Sequence, residues 1–391
     1  MCIRDRMWGF AECEAGFTNC SAPSSPGPQI DTTEGSALTI NISNALNSIP
    51  VSIMIPGQGG AGNPTPMASD MRRVGSMTHE VGPGQTGSYL FPSVRAGTYL
   101  YQSASYPSLE VPMGLFGALV VNTAGGQPYV DVSPDADRVL LFSEVDPVQN
   151  GRADAAELAA TEAPTEACVS MSAYTATMAS GYPCTIDYRP MFLLVNGEPS
   201  FDLGDTDGVT RGDAVLLRMV NAGLRSHTPS IVGIEMSLVA EDGNRYPGQP
   251  VQQSAVLVAA GKTLDALITA PDADTDLVLF DRMPTFSNEV LPNGGALGSV
   301  QVGTGSPGTG TATAQAVDDV YTFDENNSLA GKNVLDNDIG LNGATVSLTG
   351  TPSYGVVTVN DDGTFSFDAL DPDWSGTATF GYTADQGGIL Y

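Results

Sequence analysis

The chain has 391 residues, 45 of them glycine and 27 proline, and 15 Lys and Arg against 44 Asp and Glu give a formal net charge of -29. That length leaves room for two or three domains, and the Gly and Pro content points to many short elements joined by turns, the composition of an all-β protein. So acidic a surface repels phosphate backbones and anionic lipid, which excludes nucleic acid as a partner, and no apolar run is long enough to span a membrane.

The opening MCIRDR, residues 1–6, reads as an artefact of library construction, with the natural sequence starting at MWGF. The chain stops at ADQGGILY inside a strand pattern, so it reads as a piece of a longer protein. Four cysteines beyond the leader form two local pairs in polar segments, Cys13 with Cys20 and Cys168 with Cys184. Disulfides, and with them an extracellular, cell-surface or periplasmic location, are favoured over zinc: no close C-x-x-C exists, and His79 and His227 are the only histidines.

Residues 29–46, QIDTTEGSALTINISNAL, alternate apolar and polar side chains through Leu38, Ile40 and Ile42, the period of a strand buried on one face. VSIMI (51–55), GSYLFP (87–92), GTYLYQ (97–102) and FGALVVN (116–122) are further expected strands, each bounded by Gly, Pro or Asn. A second series runs from RVLLFSEV (138–145) through FLLVNG, AVLLRMVNAG, MSLVAEDG, SAVLVAAGKTLDALITA and LVLFDRM to GSVQVG (298–303). Between the two, GRADAAELAATEAPTEA at 151–167 reads as a short surface helix broken by Pro164. GTGSPGTGTATAQA is a linker of small uncharged residues, and a third β unit follows it. The expected division is a first β domain at 7–125, a second at 126–303, a linker at 304–316 and a third, truncated unit at 317–391.

The ordered segments SPGPQIDTTEGSALTINISNAL, PVSIMIPG, HEVGPGQTGSYLFPSVRAGTYLYQ and MGLFGALVV resemble the N-terminal plastocyanin-like domain of the multicopper oxidases over most of residues 20–122. VNGEPSFDL, GDAVLLRMVNAGLRSHTPSIVGIEMSLVAEDGN and LVAAGKTLDALITAP look like the second cupredoxin domain of that family. NVLDND and GVVTVNDDGTFSF resemble the Ig-like or cadherin-like repeats of bacterial surface and secreted proteins. Together these imply an all-β chain of two cupredoxin-like Greek-key sandwiches followed by an Ig-like sandwich.

The resemblance also implies copper, held by a His-Cys-His set and by a trinuclear cluster of imidazoles. In the first domain, the family's His-x-His-Gly aligns with MIPG and its Tyr-His-x-His with YQSA, so Met54, Pro56, Gln102 and Ala104 occupy the ligand positions. None is a histidine, and two histidines in the whole chain cannot build the cluster. Met54 is expected to fill the core, Gln102 to bond backbone, and His227 to be a satisfied, partly exposed histidine beside Pro229. His79 matches no ligand position. No catalytic or copper-binding residue is therefore expected in this chain. Inward-facing Tyr99, Tyr101, Leu115, Leu119 and Val121 would hold the frame without metal.

In the third unit Asp318, Asp319, Asp336, Asp338 and Asp385 could hold Ca²⁺ through hard oxygens, although Asx turns that bond their own backbone account for the same residues and are preferred. Two functions stand open. In one, this is the front of a secreted multicopper oxidase-like protein whose copper ligands lie in further domains; in the other, it is an extracellular binding or adhesion protein using degenerate cupredoxin and Ig-like domains as scaffold.

Overall fold

The structure, a computed structural model, describes residues 7–66, 74–159, 185, 188–199, 201–202, 209–283, 287–288, 291–292, 295, 297–303, 316, 319–321, 323, 329–335, 337–338, 341, 343–371, 373–386 and 389–390. Two compact units contain these residues, one ending at Ser306 and one starting at Pro307.

In the first unit, strand Ile30–Thr33 runs parallel to Phe116–Asn122, which pairs antiparallel with Gly97–Gln102. Leu38–Ser43 pairs antiparallel with Thr86–Phe91, and its inward positions Leu38, Ile40 and Ile42 are the alternating apolar residues of the sequence. Tyr99, Tyr101, Leu115, Leu119 and Val121 pack with Ile53, Tyr89 and Phe91 into one core, as their pattern predicts. VSIMI departs from expectation. It buries Val51, Ile53 and Ile55, but among the described residues its β-pairing is limited to the isolated bridges Val51 to Val81 and Met54 to Gln102. Pro50 and Pro56 bracket it, and residues without an N–H cannot extend a ladder in either direction.

The second sandwich places Ala136–Val145 parallel to Ala214–Asn221, with Thr263–Thr269 and Met236–Glu241 continuing the sheet on one side and Phe192–Val195 on the other. The facing sheet contains Pro229–Ile231, Thr275–Asp281 and Leu297–Val302. Of the long run SAVLVAAGKTLDALITA, only Thr263–Thr269 is strand; its first half crosses as single bridges, Ser230 to Ala255 and His227 to Val258.

The helix is Pro147–Leu158, four residues earlier than the sequence suggested. Asp146 caps it, accepting from the Val148 and Gln149 amides at 3.0 Å, and Pro147 supplies a first-turn residue with no amide to satisfy. Nor is it a surface excursion. Ala153 and Ala156 enter the core of the first sandwich, small enough to let the backbone approach, while Glu157 accepts from the Asn47 backbone amide and from Asn47 Nδ2 at 3.2 Å. Residues 160–167 of the predicted window lie outside the described ones.

The two sandwiches meet along the outer face of strand Gly97–Gln102. Leu100, Phe116 and Ala118 pack on Leu141, Val220 and Ala222, so this strand is buried on both faces and its sequence shows no alternation. Gly97 lies so close to Gly243 that a Cβ at Gly97 would sit 2.6 Å from the Gly243 Cα, an approach two side chains would block. Beside this contact Arg218, fully buried, donates to Thr98 Oγ1, Asn122 Oδ1 and Asp137 Oδ2 at 3.0 Å each.

The second unit pairs Leu329–Asn333 with Thr364–Asp368 and Val356–Val359, and Thr345–Thr349 with Gly381–Gln386. Val334, Leu341, Val346, Phe365 and Phe367 form its own core.

Candidate functional site

The four positions aligned with copper ligands lie where segment 51–55, the end of strand Gly97–Gln102 and Ser76–Met77 converge. Met54 and Gln102 exchange both backbone hydrogen bonds, at 2.9 and 3.0 Å, so this pair is fixed by main chain. Both side chains are half-buried, whereas Pro56 is exposed and Ala104 fully buried. The Ala104 carbonyl accepts from the Met77 amide at 3.2 Å and from Ser76 Oγ at 3.3 Å.

Hydroxyls and carboxylates gather beside the Ala104 backbone. Ser52, Ser76 and Ser105 form a triangle of Oγ atoms 2.9, 3.1 and 3.2 Å apart, all buried. Ser105 Oγ donates to Glu80 Oε1 at 3.0 Å, and Ser103 Oγ donates to the Ser105 carbonyl at 3.1 Å and is hydrogen-bonded to Glu110 Oε2. Burial, with Glu80 adding repulsion, holds the Glu110 carboxyl well above the usual carboxylate range, against the opposing Ser103 bond. Tyr106, which starts the helix Pro107–Glu110, sits in the left-handed region at φ 42° and packs against the core.

This donor set does not fit copper of the family's kind. Pro56 and Ala104 offer no side-chain donor, Gln102 offers a hard amide, and the nearby Ser52, Ser76 and Ser105 hydroxyls are hydrogen-bonded to one another and to Glu80. Among the described residues, no three His, Cys, Asp or Glu side chains come together in a way that would hold a metal ion.

The two histidines lie apart. His79 stacks on Tyr89 with ring centroids 4.2 Å apart, and Tyr89 OH donates to the His79 carbonyl. His227 is not partly exposed, as its sequence context suggested, but 2% exposed. It stacks on Phe142, its Nδ1 lies 2.7 Å from Asp281 Oδ2, and its Nε2 lies 3.6 Å from Glu144 Oε1. Asp281 Oδ1 also accepts from the Thr228 and Met283 amides at 2.7 and 3.0 Å, and Glu144 Oε2 accepts from the Leu224 amide at 3.4 Å.

A third buried group sits between the sandwiches. Asp265 accepts from Thr98 Oγ1 at 3.0 Å and from Tyr129 OH, and burial raises its carboxyl to about 6 despite the Arg218 charge nearby. Glu110, Glu144, Arg218, Asp265 and Asp281 were not singled out from sequence. The available signal was a charge inside an apolar strand, as in VLLRMV, TLDALIT and LVLFD.

Cys13 and Cys20 form a disulfide, while Cys168 and Cys184 lie outside the described residues. So do Asp318 and Asp336. Tyr382 OH donates to Asp338 at 3.1 Å, and Tyr321 OH donates to Asp319 at 3.1 Å. Burial raises Asp319 to about 6, with Asp338 adding repulsion. Asp385 lies on the strand beyond Tyr382, opposite Thr345.

Residues 19–125 and 169–303 match family models described as multicopper oxidase, and residues 311–389 match a bacterial Ig domain. Among solved structures the chain is similar to the blue copper oxidase from Nitrosomonas europaea, at 21% identity over 76% of this chain and 84% of that one, with a TM-score of 0.53. It is also similar to the multicopper oxidase mgLAC, at 21% identity over 71% of this chain and 77% of that one, with a TM-score of 0.51. A search among curated proteins gave no match. No helix among the described residues is long and apolar enough to cross a membrane. The two sandwiches before residue 304 thus belong to the multicopper oxidase family, and the unit after them is a bacterial Ig domain.

Proposed function

We propose that residues 19–303 are a copper-free cupredoxin pair in a multicopper oxidase-type protein that works outside the cytoplasm, and that they support the fold without reducing dioxygen themselves. The observation that carries this reading is the site around Ala104. The ligand positions hold Met54, Pro56, Gln102 and Ala104, and a serine and glutamate network lies beside the Ala104 backbone. A buried imidazole without a metal costs desolvation, whereas Ala104 and a hydrogen-bonded serine triangle cost little, so these residues suit a site that holds no copper. The Cys13–Cys20 disulfide supports the extracytoplasmic location.

The test is copper loading of the purified chain, read by metal analysis after dialysis and by visible absorption. The reading expects substoichiometric copper, no blue-copper band and no oxidation of phenols or of Fe²⁺. Stoichiometric copper with an intense charge-transfer band would overturn it.

A further inference from the structure

The hydrogen bonds around His227 do not close without one more proton. Asp281 is acceptor-only: one oxygen receives two backbone amides, and the other faces His227 Nδ1 at 2.7 Å. A neutral imidazole has a single N–H, and here it is committed to Asp281. The Nε2 lone pair then faces Glu144 Oε1 at 3.6 Å, and neither atom has a hydrogen-bond partner among the described residues. Both side chains are at most 3% exposed, and a 3.6 Å gap leaves no room for a water on the line between the two atoms. Two buried acceptors pointing at each other are unfavourable, and a proton on either one turns the contact into a donor–acceptor pair.

Glu144 also seats the loop above it. Its Oε2 receives the Leu224 amide, and a Cβ on Gly223 would meet the Glu144 carboxyl carbon at 3.1 Å, so the loop lies directly on the carboxylate. We propose that the His227–Glu144 pair is a proton-operated latch: one proton held between Nε2 and Oε1 keeps the Gly223–His227 loop seated, and its release to solvent as pH rises loosens that loop. The proposal does not depend on whether this chain binds copper.

The charged and titratable groups around Glu144 are His227 and Arg225 on the loop, Tyr188 ahead of strand Phe192–Val195, Asp281 behind the imidazole, and Asp146 beyond Tyr188. Burial is the largest influence on the Glu144 carboxyl and holds it above the usual carboxylate range, with His227 and Arg225 opposing. A group raised in the folded state contributes stability that is complete at low pH and is lost as pH rises through its folded value. Holding the proton therefore stabilises the fold in acid, and the contribution fades upward from the ordinary carboxylate range.

The experiment compares the full chain with Glu144→Gln, whose amide N–H donates to Nε2 at every pH. Thermal midpoints are read between about pH 5 and pH 9, upward from the ordinary carboxylate range. The wild type should lose about 2–4 °C more than E144Q across that range, a shift of the size one such interaction gives in a domain this large. If E144Q does not fold, the ring ¹⁵N signals of His227 in the wild type decide, assigned against His79→Gln. They should move across the same range together with faster exchange of the Leu224 and Arg225 amides. Equal slopes in the two proteins, or ring signals that stay constant while stability falls, would overturn the latch.

Discussion

Asp265 of the second sandwich accepts a hydrogen bond from Thr98 of the first at 3.0 Å, inside a contact from which water is excluded. Thr98 in turn receives Arg218, and its carbonyl receives Thr263 Oγ1 at 2.8 Å, so one threonine ties three side chains of the neighbouring sandwich to strand Gly97–Gln102.

Because the Asp265 carboxyl is raised to about 6 in the fold, its contribution is fully present below the ordinary aspartate value and is lost as pH rises through 6. Ionised Asp265 is a cost at neutral pH. Asp265→Asn keeps an acceptor for Thr98 and Tyr129 without the charge. It should raise stability at pH 8 by about 2–3 kcal/mol and converge with wild type near pH 4. Urea unfolding at the two pH values checks this; a D265N protein less stable than wild type at pH 8 would contradict it.

Arg218→Met tests the other half of the clasp. With the guanidinium gone, Asp265 keeps its burial without a nearby cation, and Asn122 and Thr98 each lose a donor. Removing one member of such a buried network costs about 3–5 kcal/mol. R218M should therefore unfold at markedly lower urea, and Arg218→Lys should fall between, because an ammonium places its three donors on one atom and cannot reach partners bound by separate nitrogens of the guanidinium.

Restoring imidazoles at the ligand positions should fail to restore copper. Ala104 is 1% exposed, so Ala104→His overpacks the site and should cost about 1–3 kcal/mol. The double variant Gln102→His with Ala104→His is expected to be less stable than wild type and to bind no more copper after dialysis. Metal analysis alongside an unfolding curve gives both readings.

Glu157→Ala separates the helix Pro147–Leu158 from the first sandwich. The variant leaves the Asn47 amide without its acceptor, at a cost of about 1–3 kcal/mol. Ala153→Leu, placed in the same core, should be destabilising by about 1–3 kcal/mol through overpacking. An E157A protein with an unchanged unfolding midpoint would show that the helix contributes nothing through this contact.

The sandwich cores were readable in sequence because Leu38, Ile40 and Ile42, and Tyr99 with Tyr101, repeat at the strand period. The helix start was legible too, in Asp146–Pro147, but the alanine run drew attention four residues downstream. What could not be read was where a strand meets a second core. GTYLYQ and FGALVVN show apolar residues on both faces, and periodicity alone does not say what covers the outer one. The buried acids were missed for a related reason. In a chain with 44 Asp and Glu, a carboxylate looks solvated until packing places it, as with Asp265 and Glu144.

Strand Gly97–Gln102 answers to two cores at once, and this sets where the molecule can be cut. A truncation near residue 125 would present Leu100, Phe116, Ala118 and Val111 to water as one apolar face and strand Thr98 without its partners. The first sandwich is therefore not a module that can be expressed, exchanged or shuffled by itself. The two are expected to melt as one cooperative body, with the amides of Leu100 and Tyr101 among the slowest to exchange their hydrogens.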